Sequence, residues 1–144
     1  MNLTDKEKHY FKATIEGILK DLHGFTPYQQ GQIPLNNRKY TYSYTQYQDE
    51  LYITLYCEGV EAYYFYVDGD FDTYTVRGWS YLRGKLDSQT MFTLFVNKSD
   101  IYLNEEDLDV ILKSISSKER FTNLYTALCL VSQTDTFVKW GDLK

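Results

Sequence analysis

The chain has 144 residues, 43% hydrophobic and 24% charged, with 2 Pro and 8 Gly, which excludes an intrinsically disordered or collagen-like protein and fits one folded domain spanning residues 1–144. No apolar run is long enough to cross a bilayer and the charged start MNLTDKEKHY lacks the apolar stretch of a signal peptide, so a soluble, cytoplasmic protein without a membrane partner is expected. The net charge of −5 says little about partners until its distribution is read.

A helix is expected from Thr4 to His23, with Thr4 and Glu7 in capping-box spacing, Gly24 as a stop, and Phe11, Ile15, Ile18, Leu19 and Leu22 as one apolar stripe. Phe25 to Asn37 holds both prolines without periodicity and reads as a loop. From Arg38 the period changes to two, with runs at 40–45, 51–57, 60–67 and 71–76. Glu58-Gly59 and Asp68-Gly69 read as two-residue turns, which pair Cys57 with Val60 and Val67 with Asp70. Thr90 to Val96 suits a fifth strand, with a short helix opened by Ser88 as the alternative. Asn104 and the acids Glu105, Glu106 and Asp107 open a helix, a second begins near Ser116 or Ser117, and Phe137 to Trp140 adds a short strand or lies on the core. The expected fold is α+β: an N-terminal helix packed on a four- to five-stranded antiparallel meander, followed by two C-terminal helices.

Ten of the 15 Tyr lie between Tyr40 and Tyr74, and residues 40–76 hold Asp49, Glu50, Glu58, Glu61, Asp68, Asp70 and Asp72 without one Lys or Arg. The two turns assign the faces. One, the core face, carries Tyr40, Tyr42, Tyr44, Leu51, Ile53, Leu55, Cys57, Val60, Ala62, Tyr64, Tyr66 and Phe71. The other carries Tyr47, Glu50, Tyr52, Thr54, Tyr56, Glu58, Glu61, Tyr63, Phe65, Val67, Asp70, Asp72, Tyr74 and Val76. That second face is rich in Tyr, acidic and free of cations, so Glu50, Tyr52, Tyr56, Glu58, Glu61, Tyr63, Asp70, Asp72 and Tyr74 are the expected partner-binding residues, unless the C-terminal helices cover them. Rigid Tyr rings give contact area at low entropic cost and carboxylates attract a basic partner, such as the groove of a nucleic-acid-handling protein. The expected function is therefore a small, non-enzymatic acidic inhibitor that mimics nucleic acid and does not bind it. A composition suggesting an A·T-rich coding source ties such inhibitors, by analogy, to phages and to host-defence nucleases.

Arg77, Trp79 and Arg83, in the one basic, glycine-bearing stretch, support an alternative: a loop that binds a nucleotide or signal molecule. A toxin-neutralising immunity protein would use the same acidic surface. His9 and His23 are about 21 Å apart along a helix, Cys57 has no nearby His, and Cys57 and Cys129 read as core residues; no catalytic residue, metal ligand or cofactor is assigned. Asp68, Asp70 and Asp72 begin like a calcium loop, but Thr73 and Trp79 occupy the positions that need Gly and Glu.

Overall fold

The computed structural model describes residues 1–22, 29–34, 39–82 and 85–131. Helix α1 (Asp5–Leu22) starts where the capping-box spacing puts it. Thr4 N–H donates to Glu7 Oε1 at 3.0 Å and Glu7 N–H donates to Thr4 Oγ1 at 3.0 Å, satisfying two donors that the first turn leaves open. Its stripe of Phe11, Ile15, Ile18, Leu19 and Leu22 is buried, each side chain contributing on the order of 1.5–3 kcal/mol by leaving water.

Six strands follow, β1 (Gln29–Pro34), β2 (Tyr40–Tyr47), β3 (Glu50–Cys57), β4 (Val60–Gly69), β5 (Thr73–Leu82) and β6 (Lys85–Asn97). Each pairs antiparallel with its sequence neighbour, so the sheet runs β1-β2-β3-β4-β5-β6. Helices α2 (Glu105–Ile115) and α3 (Lys118–Val131) close the described chain, giving the expected α+β architecture. Asn104 caps α2 by accepting the Asp107 N–H at 2.8 Å. Strand β1 corrects the reading of Phe25 to Asn37 as a loop. Its sequence QQGQIP lacks apolar alternation, and among the described strands it pairs only with β2. The expected segments at His23 and Phe137 to Trp140 lie outside the described residues.

The helices gather on one face of the sheet, α2 over β5 and β6 and α3 over β2 and β3. Helix α1 packs on α3, with the Phe11 ring 4.9 Å from Phe121 and 6.2 Å from Tyr125. Tyr42, Leu51, Ile53, Leu55, Phe65, Val67 and Val76 form the sheet's side of the core. Burial pushes the Tyr42 hydroxyl up to about 12.

Two registers differ from expectation, and they decide what the other face displays. Glu58-Gly59 is the expected turn, with both residues at positive φ and Cys57 opposite Val60. Two residues later, however, Tyr56 faces Glu61 while Leu55 faces Tyr63. Ala62 is therefore the extra residue of a β-bulge, and it reverses the facing of the rest of β4. Tyr63, Phe65 and Val67 enter the core, while Tyr64 and Tyr66 turn to the open face. The Asp68-Gly69 turn is also corrected. Val67 pairs with Val76, and the chain reverses through Asp70 to Thr73, closed by Asp70 N–H to Thr73 C=O at 2.8 Å. Gly69 serves close approach instead: its N–H donates to Asp49 C=O at 2.9 Å, and a Cβ would stand 2.4 Å from Asp49 Cβ. Phe71, expected in the core, is 96% exposed at the turn, and Val60 is exposed beside its own turn.

Lys118 Nζ donates to Glu7 Oε2, joining the first turns of α1 and α3. Burial opposes ionisation of Glu7, but the bonds from Lys118 and Thr4 together outweigh it and hold the carboxyl below its ordinary value. A depressed carboxyl contributes stability that is complete above its unfolded value and is lost as pH falls through the folded one. Urea unfolding midpoints should therefore fall below pH 4.5 more steeply for the wild type than for Glu7→Gln. Parallel curves for the two proteins would remove this contribution.

Candidate interaction face of the sheet

The face opposite the helices is built in rows by the strand register. One row runs Thr45, Tyr52, Tyr66, Arg77, Thr93 from β2 to β6. The next runs Ser43, Thr54, Tyr64, Trp79, Met91. Alternation puts each of these on the side away from the core, where β-branched threonines suit a pleated surface. Among the described residues no helix packs on this side.

Its centre is aromatic. Tyr64 and Trp79 stack with centroids 4.5 Å apart at 12°. Tyr52 and Tyr66 lie 4.4 Å apart, and the Tyr52 hydroxyl donates to that of Tyr66 at 3.3 Å. Partial burial, then that bond, raises the Tyr52 hydroxyl above its ordinary range, so it remains a neutral donor at physiological pH. The Arg77 guanidinium carbon sits 5.9 Å from the Tyr66 ring centroid, a cation–π distance. These rings are braced against one another before any partner arrives, which lowers the entropic cost of using them.

One end of the face is acidic. Glu50 stands directly opposite Asp68 across β3 and β4, and Asp70 and Asp72 are exposed in the turn just beyond. Asp49 is neutralised by Lys98 at 2.9 Å. Asp70 accepts its own turn's Phe71 N–H, and Asp72 accepts the Thr73 hydroxyl. Among the described residues no three His, Cys, Asp or Glu side chains are grouped to hold a metal ion.

The opposite end is different. A cavity of about 600 Å³ opens between the start of β2, the β3–β4 turn and the α2–α3 corner, with Lys39, Tyr40, Cys57, Glu58, Glu61 and Arg120 in its wall. Lys39 Nζ is 3.2 Å from Glu119, and Glu119 foremost, then Cys57 and Glu58, holds its ammonium above the ordinary range. Glu58 and Glu61 therefore share their end with cations, and Cys57, expected in the core, is half-buried on this cavity wall.

Of the expected partner-binding residues, Glu50, Tyr52 and Tyr56 lie on the open face, and Asp70 and Asp72 lie exposed at its acidic end. Tyr63 and Tyr74 do not: they are 1% and 0% exposed in the helix-covered core, placed there by the bulge. Nor is the open face free of cations, because Arg77 is on it. Arg77 and Trp79 belong to strand β5 rather than to a loop, and Arg83 lies outside the described residues. Sequence reasoning missed Tyr64, Tyr66, Met91 and Phe95. Thr73, Thr75, Arg77 and Trp79 carry a period-two pattern that would have extended β5 and exposed the last pair. His9 is exposed on α1. No helix among the described residues is long and apolar enough to cross a membrane. No family model, curated protein or solved structure matches the chain.

Proposed function

We propose that the protein is a non-enzymatic interaction protein that holds a basic protein partner on its open sheet face. The observation that supports this best is the braced cluster of Tyr52, Tyr66, Tyr64, Trp79 and Arg77 on the face opposite the described helices. Tyr, Trp and Arg are the residues that dominate interface energetics. The acidic end supplies the sign of the partner: Glu50 and Asp68, side by side, repel each other in the free protein, and a cation placed between them relieves that cost. A nucleic acid would instead bring phosphates to a described face that carries the carboxylates of Glu50 and Asp68 as well as Arg77. The partner class that fits best is a nucleic-acid-handling protein, whose groove presents Lys and Arg, with a host-defence nuclease inhibited by occupation of that groove as the specific form of the proposal. Arg77 and Trp79 contribute to the same face, so this reading absorbs two of the three residues that suggested a small-ligand site.

The test is affinity capture at low and high salt from lysates containing candidate nucleases, followed by titration of the captured protein. Trp79→Ala and the pair Glu50→Lys with Asp68→Lys are expected to weaken binding at least about tenfold each, whereas Asp109→Lys on the far side of α2 leaves it unchanged. Binding that survives the face variants, or that is lost only with Asp109→Lys, would exclude this face.

A further inference from the structure

Strand register sets the open face out in steps. Tyr64 and Trp79 stand opposite each other on β4 and β5, Tyr52 and Tyr66 follow one step along the strands, and Glu50 and Asp68 form the step after that. Each step is two residues, about 7 Å. The ways in which a folded domain grips a peptide segment make different demands on such a surface. Adding a strand needs the backbone groups of a sheet edge, but β3, β4 and β5 are each paired on both sides. Seating an amphipathic helix needs an apolar groove, whereas Tyr52, Tyr64 and Tyr66 bring hydroxyls and Thr45, Thr54 and Thr93 share their rows. A polyproline II segment needs aromatic ridges to pack on and donors for carbonyls that it cannot bond itself. Both are present. The Tyr64–Trp79 stack forms one ridge and the Tyr52–Tyr66 pair another, and these rings are half-buried, hence accessible. Having accepted the Tyr52 proton, the Tyr66 hydroxyl holds its own for an acceptor outside this pair.

We propose that the open face grips its partner by a proline-rich segment in the polyproline II conformation that carries an arginine or lysine. The proposal rests on the reading of this face as the site of a basic protein and names the element that the site holds. Lying along the strands, the segment packs its prolines on the two ridges, and its basic residue meets Glu50 and Asp68. Arg77, in the Tyr66 row, repels a cation there and leaves the carboxylate step as its place. Two steps, about 14 Å, separate the Trp79 row from the carboxylates. Polyproline II rises about 3.1 Å per residue, so the basic residue stands about four or five positions from the proline on Trp79. Tyr64 and Trp79 act together as one ridge, so neither ring needs to lack neighbours within the chain. The segment arrives preformed and the rings are already braced, which keeps the ordering cost low on both sides.

Fluorescence anisotropy of labelled octaproline bearing one terminal arginine, made with the arginine at either end and titrated with the full chain, tests this. At least one of the two peptides is expected to bind. Control peptides, with a glycine–serine repeat in place of the prolines or glutamate in place of the arginine, are each expected to bind at least about tenfold more weakly. Trp79→Ala and Tyr66→Leu should each remove the preference for proline, and Glu50→Gln combined with Asp68→Asn the preference for arginine over glutamate, with folding verified by circular dichroism. No binding at millimolar peptide, equal binding of the glycine–serine control, or preferences unchanged in every variant overturns the proposal. The result is separable from that of the capture experiment. Peptides that fail while a basic protein is captured through this face remove the segment and keep the face; peptides that bind as expected while no basic protein is captured keep the segment and remove the nuclease.

Discussion

Replacement of Tyr63 by alanine is expected to destabilise the protein by about 3–5 kcal/mol, while replacement of its neighbour Tyr64 costs only about 1 kcal/mol. The difference comes from one inserted residue. Ala62 turns Tyr63 inward, where it is 1% exposed and its hydroxyl bonds Ser114 Oγ of α2 at 2.7 Å. Truncation removes the ring, opens a cavity under α2 and deletes the hydrogen bond. Tyr64 loses chiefly its stack on Trp79. With a whole-domain stability of about 5–15 kcal/mol, the first variant should show a large fall in urea midpoint and the second a small one. Equal effects, or the reverse order, would restore the unbulged register.

Gly78 sets the second large effect. It lies on the core face between Phe65 of β4 and Phe92 of β6. A Cβ there would stand 2.5 Å from Phe92 Cε1 and 2.7 Å from the Tyr63 hydroxyl oxygen. Neither neighbour yields readily, because Ser114 holds the hydroxyl and α2 covers β6. Gly78→Ala is expected to cost about 1–3 kcal/mol by overpacking and Gly78→Val more. Phe92→Leu, mildly destabilising alone, should recover part of that loss when combined with Gly78→Ala, since the two sites share one space. Strict additivity in denaturant unfolding would show that the ring and the missing Cβ do not compete.

Local chemistry explains which parts of this fold were readable. The Thr4/Glu7 box, the Asn104 cap and the Glu58-Gly59 turn each carry their own hydrogen-bonding logic within four residues, and each is found in place. The bulge carries no such mark. From Tyr63 to Val67 every side chain is aromatic or apolar, so either facing puts large rings on both sides and the pattern cannot choose. The choice is made by helices more than forty positions later in the chain, through Ser114. The Asp68-Gly69 dipeptide misled for a similar reason, because the glycine answers to Asp49, a residue in another turn. The candidate face inherited both errors. Its acidic end and Tyr52 survived, its Tyr63 and Tyr74 did not, and Arg77 with Trp79 moved from a rival site into the same one.

The meander's connectivity sets the order in which the chain can acquire structure. Every strand pairs with the one just before or after it, so each hairpin closes a short loop and the sheet can zip from any turn, as expected for fast folding of a low-contact-order topology. The helices are the exception: α3 returns to β2 and β3, and the tie from α1 to α3 links residues 111 positions apart. Of the described elements α1 is made before α3, and until α3 exists only contacts within the helix, the capping box and the Lys12–Glu16 ion pair among them, support a helix whose apolar stripe lacks its packing partner.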